Sequence, residues 1–597
     1  MISVTKKYIE ACESPIRSSY VVVKYGLFDK EAKTTITAVV STSQPFSNPS
    51  QTYDEIKDTN YNYITCEPNR VVLDNTFAFI KDKTTINRNQ NIGIWSQEIS
   101  DENGIFATPF DITYTFGKLV KYTPLTLTFE EVVSSLDVMY YLDDELKHTK
   151  SISNNEELII NTEDENSSDL VFSFNKLVIS IKSTKEPNRL VKFNELDLGI
   201  YEIFKKEDIN DLEIIDEVSI DSSSMVSNSC SLTINDKDGK YDIVNPYNKL
   251  KTLQEKQELT VYHYLKVGNN FREMPLGTFL IKDMNYRDKK MTLQCYDDRY
   301  FMNKTYYGSK FYINAKVKNV LEDLFIYFNY DVNKYVIDSE LDNDVISGYI
   351  PFVSFGEALR LICESVCAVV SKTRDGITYI YKTYDDNVIK TFKTNSYDKS
   401  NPTKNLYNSI IDIDEYNYKE SSSKVVLYNG TLKKGTHFIQ FEKAPIVYKS
   451  YSSDFSSLKV DSSNTNFNII SLYASGCEVE VLVDDTTIEL SGNVYETSVS
   501  TKRIKKYDYL SVDDYAISKV SNHLINSTNS NNVALWKLNR GEIRYSFDVN
   551  SMPYIEVGDT CKIQLPYKTI NNTQIVRKFV PTKLRFNLGI KETIEGE

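Results

Sequence analysis

Few residues in this chain have the types and spacing that catalysis or metal binding requires. The four histidines are isolated, without partners at metal-ligand spacing, and they are His148, His263, His437 and His523. HExxH, zinc-finger, GxSxG, GxGxxG and P-loop patterns do not occur in the sequence. We therefore expect no metal site, no nucleotide chemistry and no cofactor.

The cysteines and paired carboxylates were the next candidates for chemistry. Eight cysteines are scattered over 597 residues, too sparsely for a disulfide scaffold, so we interpret them as reduced, buried side chains. Cys363 and Cys367 stand four residues apart on one predicted helix, where packing is favoured over metal binding. A glycosidase needs two carboxyl groups about 5 to 10 Å apart. Acidic residues that are adjacent in sequence, such as Asp143 and Asp144, do not show whether any two carboxyl groups lie at that distance. No catalytic residue is assigned.

One stretch looks like the middle of an EF-hand calcium loop, namely Asp236–Gly239. With Gly239 at the sixth loop position, the first position is Ile234 and the twelfth is Asn245, and neither is a carboxylate. The sequence therefore predicts a plain antiparallel hairpin over residues 227–244, with no ion in its turn.

Trp95 is the one aromatic residue that we single out as a candidate carbohydrate contact. An exposed Trp in a loop of a β-sandwich can stack on a sugar face. A Trp between Ile94 and Ile99 is more often part of a hydrophobic core. Both interpretations stay open, and the core is favoured.

Composition and charge narrow the classes of function. The chain is 41% hydrophobic and 25% charged, as in globular domains, and its length corresponds to about four of them. A net charge of −14 argues against binding to a phosphate backbone, and the basic cluster at 502–506 is short and set among acidic residues. The N-terminus lacks an apolar signal segment, and no stretch approaches the length of a membrane span, so we expect folding in a cytoplasm.

Short strands separated by turns predict a mainly β protein. Between residues 61 and 182 turn residues recur about every ten positions, which favours an all-β sandwich over a parallel sheet. Alternating apolar residues between 188 and 297 predict a small antiparallel barrel or sandwich, and residues 396–597 are again mostly β.

Helical periodicity is confined to a few stretches. Apolar residues from Val317 to Phe328 follow the spacing of one helical face. Ser354 and Glu357 form a capping box that predicts the start of a second helix. With a hairpin over residues 372–383, these helices predict a compact α+β module. Two more short helices are predicted, at residues 511–524 and 530–540.

Several phrases, in a fixed order, resemble the baseplate hub proteins of phage tails and tailocins from low-GC Gram-positive bacteria. The predicted hairpin followed by LGTFLIKDMNYRDKKMTLQCYDDRYFM is similar to the family's first β-barrel segment. NAKVKNVLEDLF and IPFVSFGEALRLICESVCAVVSKTRDGITYI look like its α/β module. LINSTNSNNVALWKLNRGEIRYSFDVNSMPYIEVGDTCKI resembles its last barrel. The resemblance covers roughly residues 16–40 and 190–597.

The segment in between departs from the minimal hub. EPNRVVLDNTFAFI, IGIWSQEISDENGIF and LTLTFEE resemble the jelly-roll, discoidin-like modules that tail proteins can carry as insertions. The expected domains are a discontinuous first hub barrel (16–40 and 190–304), an inserted β-sandwich (41–189), an α+β module (305–395) and a second hub barrel (396–597). Such modules often bind carbohydrate, but only Trp95 supports that here, so a structural insertion is favoured.

The resemblance implies a structural, non-enzymatic subunit of a virion tail or tailocin baseplate. Family members form a homotrimer whose barrels build a ring between the tail tube and the tip. The implied partners are a tail tube or distal tail protein, the tape-measure protein, and tip, spike or baseplate proteins, with a cell-wall glycan as a further candidate. A carbohydrate-binding adhesion protein is the alternative, and a cell-wall hydrolase ranks behind it.

Overall fold

Strands dominate the computed structural model of the chain, and short helices lie between them, which confirms the predicted mainly β fold class. The structure describes residues 4–597 except 15, 29, 34, 42–48, 54–63, 66, 70–92, 164–171, 240, 243, 245–255, 383–387, 395, 398–402, 405–408, 448–457, 461–465, 509–516, 541–542, 570 and 589–590. The helices are α1 (Lys6–Glu13), α2 (Lys30–Lys33), α3 (Val317–Tyr327), α4 (Phe355–Ser365) and α5 (Ser530–Leu538).

The strands group into separate sheets, most of whose neighbouring strands run antiparallel. The first strands are β1 (Ser19–Phe28), β2 (Ile36–Val40), β3 (Ile94–Ile99), β4 (Ile105–Lys121), β5 (Thr126–Phe129), β6 (Val133–Leu142), β7 (Glu145–Ile152), β8 (Ile159–Asn161), β9 (Ser173–Thr184), β10 (Leu190–Asp197) and β11 (Gly199–Phe204). The next are β12 (Ile209–Glu217), β13 (Ser229–Asn235), β14 (Glu258–Val267), β15 (Asn270–Arg287), β16 (Lys290–Tyr296), β17 (Thr305–Tyr306), β18 (Tyr312–Lys316), β19 (Tyr335–Ile337), β20 (Val345–Gly348), β21 (Val353–Ser354), β22 (Ala368–Lys372), β23 (Thr378–Lys382), β24 (Lys390–Phe392) and β25 (Thr403–Lys404). The last are β26 (Ile410–Leu432), β27 (Gly435–Gln440), β28 (Leu458–Val460), β29 (Phe467–Leu472), β30 (Gly476–Val481), β31 (Thr486–Lys505), β32 (Ile517–Val520), β33 (Ile543–Asn550), β34 (Cys561–Lys568), β35 (Gln574–Phe579), β36 (Pro581–Asn587) and β37 (Lys591–Gly596).

Two sheets face each other to form a β-sandwich early in the chain. Their strand orders are β2-β4-β9-β6-β7 and β3-β10-β5-β8, and their apolar side chains share one core. The sandwich strands reach from Ile36 to Asp197, past both ends of the expected 41–189 range. The first of them, β2, pairs with β4 of the sandwich, and its Ile36 packs in that core. TFAFI at residues 76–80, one of the short strands expected between residues 61 and 182, lies outside the described residues.

A single eleven-stranded sheet joins strands from both ends of the chain. Its order is β11-β1-β14-β15-β16-β13-β12-β36-β37-β33-β25. The junction is an antiparallel ladder between β12 and β36, with Glu213 opposite Asn587 and Glu217 opposite Lys583. One core serves both regions, with Leu232 from the first and Phe586 from the last among its members. The first barrel region and the C-terminal region are therefore continuous.

The predicted hairpin over residues 227–244 is wrong in its second half. The strand β13 has the predicted alternation of buried residues, but its partners are β12 and β16. The Asp236 carboxylate accepts a hydrogen bond from the Tyr241 N–H at 2.8 Å, and Gly239 has a φ of 71°. This side-chain bond closes a local turn, so Tyr241 lies in a turn instead of a returning strand.

The two main helices and the hairpin of the α+β module are confirmed. Helix α3 buries the predicted apolar face. Helix α4 begins after Ser354, whose Oγ accepts a hydrogen bond from the Glu357 N–H at 3.2 Å. The strands β22 and β23 pair antiparallel around the turn at residues 373–377. These elements share a core of their own.

One of the two short predicted helices is confirmed and the other is wrong. Helix α5 occupies residues 530–538, within the predicted range. In the other range, residues 517–520 form the strand β32, which pairs parallel with β26, and residues 511–516 lie outside the described part of the chain. Ile517 and Val520 are β-branched, and the long strand β26 supplies backbone partners that outweigh the weak helical pattern.

The longest strands form a ribbon that carries a small domain. The strands β26 and β31 pair antiparallel from Ile410 with Lys505 to Leu432 with Thr486. We call residues 421–494 the tip domain, since the sheet β27-β30-β29 and the outer parts of the ribbon enclose a separate core there. The ring of Phe438 stacks on Tyr307 of the α+β module at 4.0 Å between centroids.

Candidate functional site

The four histidines lie in different parts of the molecule. His263 is buried in β14, His148 contacts the ring of Tyr122, His437 lies 2.7 Å from the Lys433 carbonyl oxygen, and His523 contacts the ring of Tyr416. Burial lowers the pKa of His523. Among the described residues no group of three metal-ligating side chains exists.

The cysteine pair is a packing feature. Cys363 lies on α4 in the module's core, whereas Cys367 follows the end of the helix with a φ of 60°. The two cysteines are therefore not on one helical face, whereas the sequence predicted both on the same helix. Burial raises the pKa of the Cys363 thiol and raises that of Cys367 to about 11, so both are protonated at neutral pH.

Trp95 lies on β3 next to Ile94, but it is buried outside the core that the two sheets of the sandwich share. Only 1% of its surface is exposed. The Lys192 ammonium sits 4.8 Å from the centre of the Trp95 ring and also pairs with the Glu67 carboxylate at 2.9 Å. This covering of the ring favours a packing role for Trp95, and the carbohydrate contact stays a prediction.

The most elaborate polar site is a joint around Arg374, in the turn between β22 and β23. Its side chain is buried between the two regions of the eleven-stranded sheet. The Nη2 donates to the Ile555 carbonyl at 2.7 Å, and Nε lies 3.4 Å from an Asp216 carboxylate oxygen. The guanidinium also lies over the Phe586 ring at 4.6 Å. One side chain of the α+β module thus binds β12 and two C-terminal segments.

Burial shifts the acids around this joint toward their neutral forms. Desolvation raises the pKa of Asp216 to about 6, although Arg374 acts in the opposite direction. Desolvation likewise raises the pKa of Asp559 to about 6 and that of Glu592 to about 8. Glu592 on β37 accepts a hydrogen bond from the Met552 N–H at 2.7 Å. The joint can hold protons, but its Asp216 and Glu592 carboxyl groups are buried away from solvent.

A second buried ion pair fixes the first barrel region to the same module. Arg299 binds the Asp297 carboxylate at 2.7 Å and the Asn228 amide oxygen at 2.9 Å. Its other terminal nitrogen donates to the Val370 carbonyl on β22 at 3.3 Å. Nearby, the Lys372 ammonium lies 2.8 Å from the Asp298 carboxylate. The module is therefore attached through charges that neutralise each other inside the protein.

A cleft beside this contact is lined by Ser223, Ser224, Met225, Ser227, Arg299, Tyr300, Met302, Asn303, Ser354, Gly356 and Glu357. Its two charged side chains are engaged, since Arg299 pairs with Asp297 and Glu357 pairs with Arg360 at 2.7 Å. The lining offers hydroxyl groups without an adjacent free base. It therefore does not have the arrangement of a nucleophilic site.

Sequence reasoning did not find Arg374, Asp216, Arg299 or Glu592. The Arg374-Asp375-Gly376 phrase indicated a turn, but the Arg374 side chain has its partners at residues 216, 555 and 586, which no local pattern connects.

None of the helices in the described part of the chain has the length and apolar character that a membrane span requires.

No protein-family model and no curated protein sequence matches the chain. Solved structures to which it is similar include the tail protein from Neisseria meningitidis MC58, at 10% identity and a TM-score of 0.37, covering 66% of this chain and 93% of that one. Another is the prophage tail protein gp18 from Listeria monocytogenes EGD-e, at 9% identity and 0.33, covering 66% and 90%. The family 32 CBM from C. perfringens NanJ, solved with galactose, covers 30% of this chain and 99% of its own length, at 12% identity and 0.18.

Proposed function

We propose that this chain is a structural subunit of a phage tail or of a tail-like particle, acting as a hub at the baseplate or tail tip. The proposal gives the chain the role that the names of the similar tail proteins state for them. The order of its sequence phrases, from the first barrel through the α/β module to the last barrel, is that of the hub family.

The observation that carries the proposal is the continuous sheet with one core that joins the two ends of the chain. The module between them is attached by the buried cations Arg374 and Arg299. A body built in this way resists relative movement of its parts, as a load-transmitting connector requires and as a flexible enzyme cleft does not.

We infer that three copies assemble into a ring that would join the tail tube to the tip or baseplate proteins. Strand edges support this assembly, since β11 and β25 end the eleven-stranded sheet within the described residues and exposed strand edges in natural proteins are commonly covered. The inserted sandwich would then extend from the ring as a structural module. The burial of Trp95 supports this structural role over carbohydrate binding.

The test is the mass and symmetry of the purified full-length chain. We expect light scattering to give a multiple of three times the 68.8 kDa chain mass, and negative-stain averages to show a threefold ring. A chain that stays monomeric at high micromolar concentration would contradict the ring. Release of soluble fragments from purified cell walls would contradict the non-enzymatic role.

A further inference from the structure

We propose that the outer edge of β31 pairs with the same edge of a second copy of this chain, antiparallel and about a twofold axis through Val499. The contact is independent of the hub role, because it rests only on residues 494–503 and their neighbours. It would give the chain an interface with itself in addition to any ring contact.

The edge is open where the ribbon meets the rest of the protein. On one side β31 pairs with β26 along its whole length. On the other side it pairs with β28 and then with the segment at Pro445–Val447, where the last hydrogen bond is from the Tyr495 N–H to the Pro445 carbonyl at 2.8 Å. Beyond Tyr495, no strand among the described residues pairs with this edge.

The side chains of this stretch are exposed on both faces. Up to Tyr495 the strand alternates buried and exposed residues, but all eight residues from Glu496 to Arg503 are exposed. Val499, at the middle, is 51% exposed. The register with β26 runs without a bulge from Ile410 opposite Lys505 to Glu420 opposite Tyr495, so the edge is regular. Proline, a bulge or an inward charge normally blocks an edge of this kind.

The sequence of the edge is self-complementary. Residues 496–502 read Glu-Thr-Ser-Val-Ser-Thr-Lys, which is the same in both directions except that its two ends carry opposite charges. Antiparallel pairing about Val499 places Ser498 opposite Ser500, Thr497 opposite Thr501 and Glu496 opposite Lys502. Threonine pairs, β-branched pairs and opposite charges are the favourable cross-strand neighbours in antiparallel sheets.

The same pattern fixes the register. Moving the axis to Ser500 would place Glu496 opposite Ile504 and Ser498 opposite Lys502, so both charge pairs would be lost. Existing contacts hold the strand in place, because Thr501 bonds the Asp414 carboxylate at 2.7 Å and Arg503 bonds Asp412 through two nitrogens at 2.7 Å. Lys502 donates to the Asn531 amide oxygen at 2.7 Å, a neutral partner that a carboxylate can replace.

A twofold contact differs from the contacts of a threefold ring. A ring is built from heterologous contacts, in which different patches meet, whereas this edge meets its own copy. Two rings, or two free chains, would be joined by it. Its loss would change even-numbered association and leave a threefold ring intact, so the two proposals fail separately.

The first test is disulfide trapping with the Val499→Cys variant of the full-length chain. A residue opposite itself has Cα atoms about 4.5 to 5.5 Å apart, within the range that a disulfide spans. We expect mild oxidation to give a covalent dimer of V499C. Val483→Cys is the matched control, because Val483 is also 51% exposed and belongs to the tip domain. Equal cross-linking of V483C, or none of V499C, would overturn the proposal.

The register is tested with two further variants. Thr497→Cys and Thr501→Cys should each give little dimer alone and should form a mixed disulfide when combined, since each faces the other across the axis. Dimers of the single variants as abundant as the mixed dimer would overturn the register. Unmodified chain provides the background, because six of its seven described cysteines are buried.

The charge pairs are tested by sedimentation velocity over a range of concentrations. Glu496→Lys turns two attractive pairs into repulsive ones and should weaken dimerisation about tenfold. The double variant E496K/K502E restores opposite charges and should recover association. Dimerisation of E496K equal to that of the unmodified chain would overturn the proposal. Association of this edge with another tail protein, in the absence of any dimer of the chain itself, would also overturn it.

Discussion

Glu592 is a carboxyl group that folding moves from water into the core shared by the two ends of the chain. It is fully buried on β37, and desolvation raises its pKa to about 8, against the attraction of Arg374. An unfolded glutamate has a pKa of about 4.3. Between these two values the folded protein binds more protons than the unfolded chain, so this group makes stability fall as pH rises.

Replacing Glu592 with glutamine should therefore stabilise the protein at high pH only. Glutamine keeps an oxygen for the Met552 N–H and has no charge to bury. We expect urea midpoints of E592Q and the unmodified chain to agree near pH 5 and to diverge in favour of E592Q at pH 8. Glu595→Gln, on the same strand, is the control and should shift the urea midpoint at neither pH. An E592Q protein that is less stable at pH 8 would contradict the prediction. Asp216 and Asp559 are unchanged in all three proteins.

Arg374 is the buried cation that faces the Asp216 carboxylate. Arg374→Met leaves Asp216 buried without its cation, a change that typically costs about 3 to 5 kcal/mol. The pKa of Asp216 is already raised to about 6, so protonation should reduce the loss at pH 5 compared with pH 8. The double variant R374M/D216N should recover part of the loss.

Denaturant unfolding at the two pH values measures this effect. Arg577→Met, at an exposed position, is the matched control and should change the midpoint little. A pH-independent loss would mean that packing against Phe586, and not the charge of Asp216, accounts for the role of Arg374.

The helix caps show how far local sequence determines an element. The Ser354 side chain accepts the Glu357 N–H as the capping box predicts, but the Glu357 carboxylate turns forward to Arg360 at 2.7 Å. Ser354→Ala should lower the stability of the α+β module by about 0.5 to 2 kcal/mol, whereas Ser354→Asp should preserve it.

Hydrogen exchange of the amides in the first turn of α4 measures the change directly. Faster exchange should be confined to S354A, and Ser153→Ala in the sandwich should leave these amides unchanged. Uniform exchange in all variants would indicate that the Lys304 and Met302 carbonyls, which accept from the Phe355 and Gly356 N–H groups, hold the helix start without the serine.

Elements with a strong local signal could be predicted from the sequence, and elements that depend on distant partners could not. The apolar face of α3 and the turn between β22 and β23 follow from periodicity and turn residues. The strand at 517–520 and the turn at Tyr241 do not, because a distant strand decides the first and an Asp236 side-chain bond decides the second. The Arg374 joint was missed for the same reason.

At the scale of the whole molecule, the sequence predicted several small β units but not their fusion. Alternation in β12 and β36 indicates two buried strands, yet nothing local states that residues 213–217 pair with 583–587. The position of the sandwich along the chain was predicted more closely. Its own core and its place between β1 and β11 fit an inserted domain with limits near residues 30 and 198.

Those limits lead to a deletion that tests the domain organisation. Phe28 and Gly199 are directly opposite each other in the ladder between β1 and β11, so the sandwich begins and ends at one point on the sheet. Replacing residues 29–198 with Asn-Gly should close β1 and β11 as a two-residue hairpin, for which Asn-Gly is the preferred turn. The deletion removes the hydrogen bond from the Thr126 hydroxyl to the Gly199 carbonyl.

We expect the shortened chain to show a cooperative thermal transition and the same oligomeric state as the full chain. A second version with Gly-Asn-Gly-Ser at the junction separates a strained turn from a true dependence on the sandwich. In the complementary fragment of residues 30–198, Trp95 is the only tryptophan, so its fluorescence reports the packing around this residue alone. Blue-shifted emission that is lost in one transition would show independent folding. Emission of a solvated tryptophan in the fragment, together with aggregation of both shortened chains, would instead mean that the sandwich and the barrel strands fold as one unit.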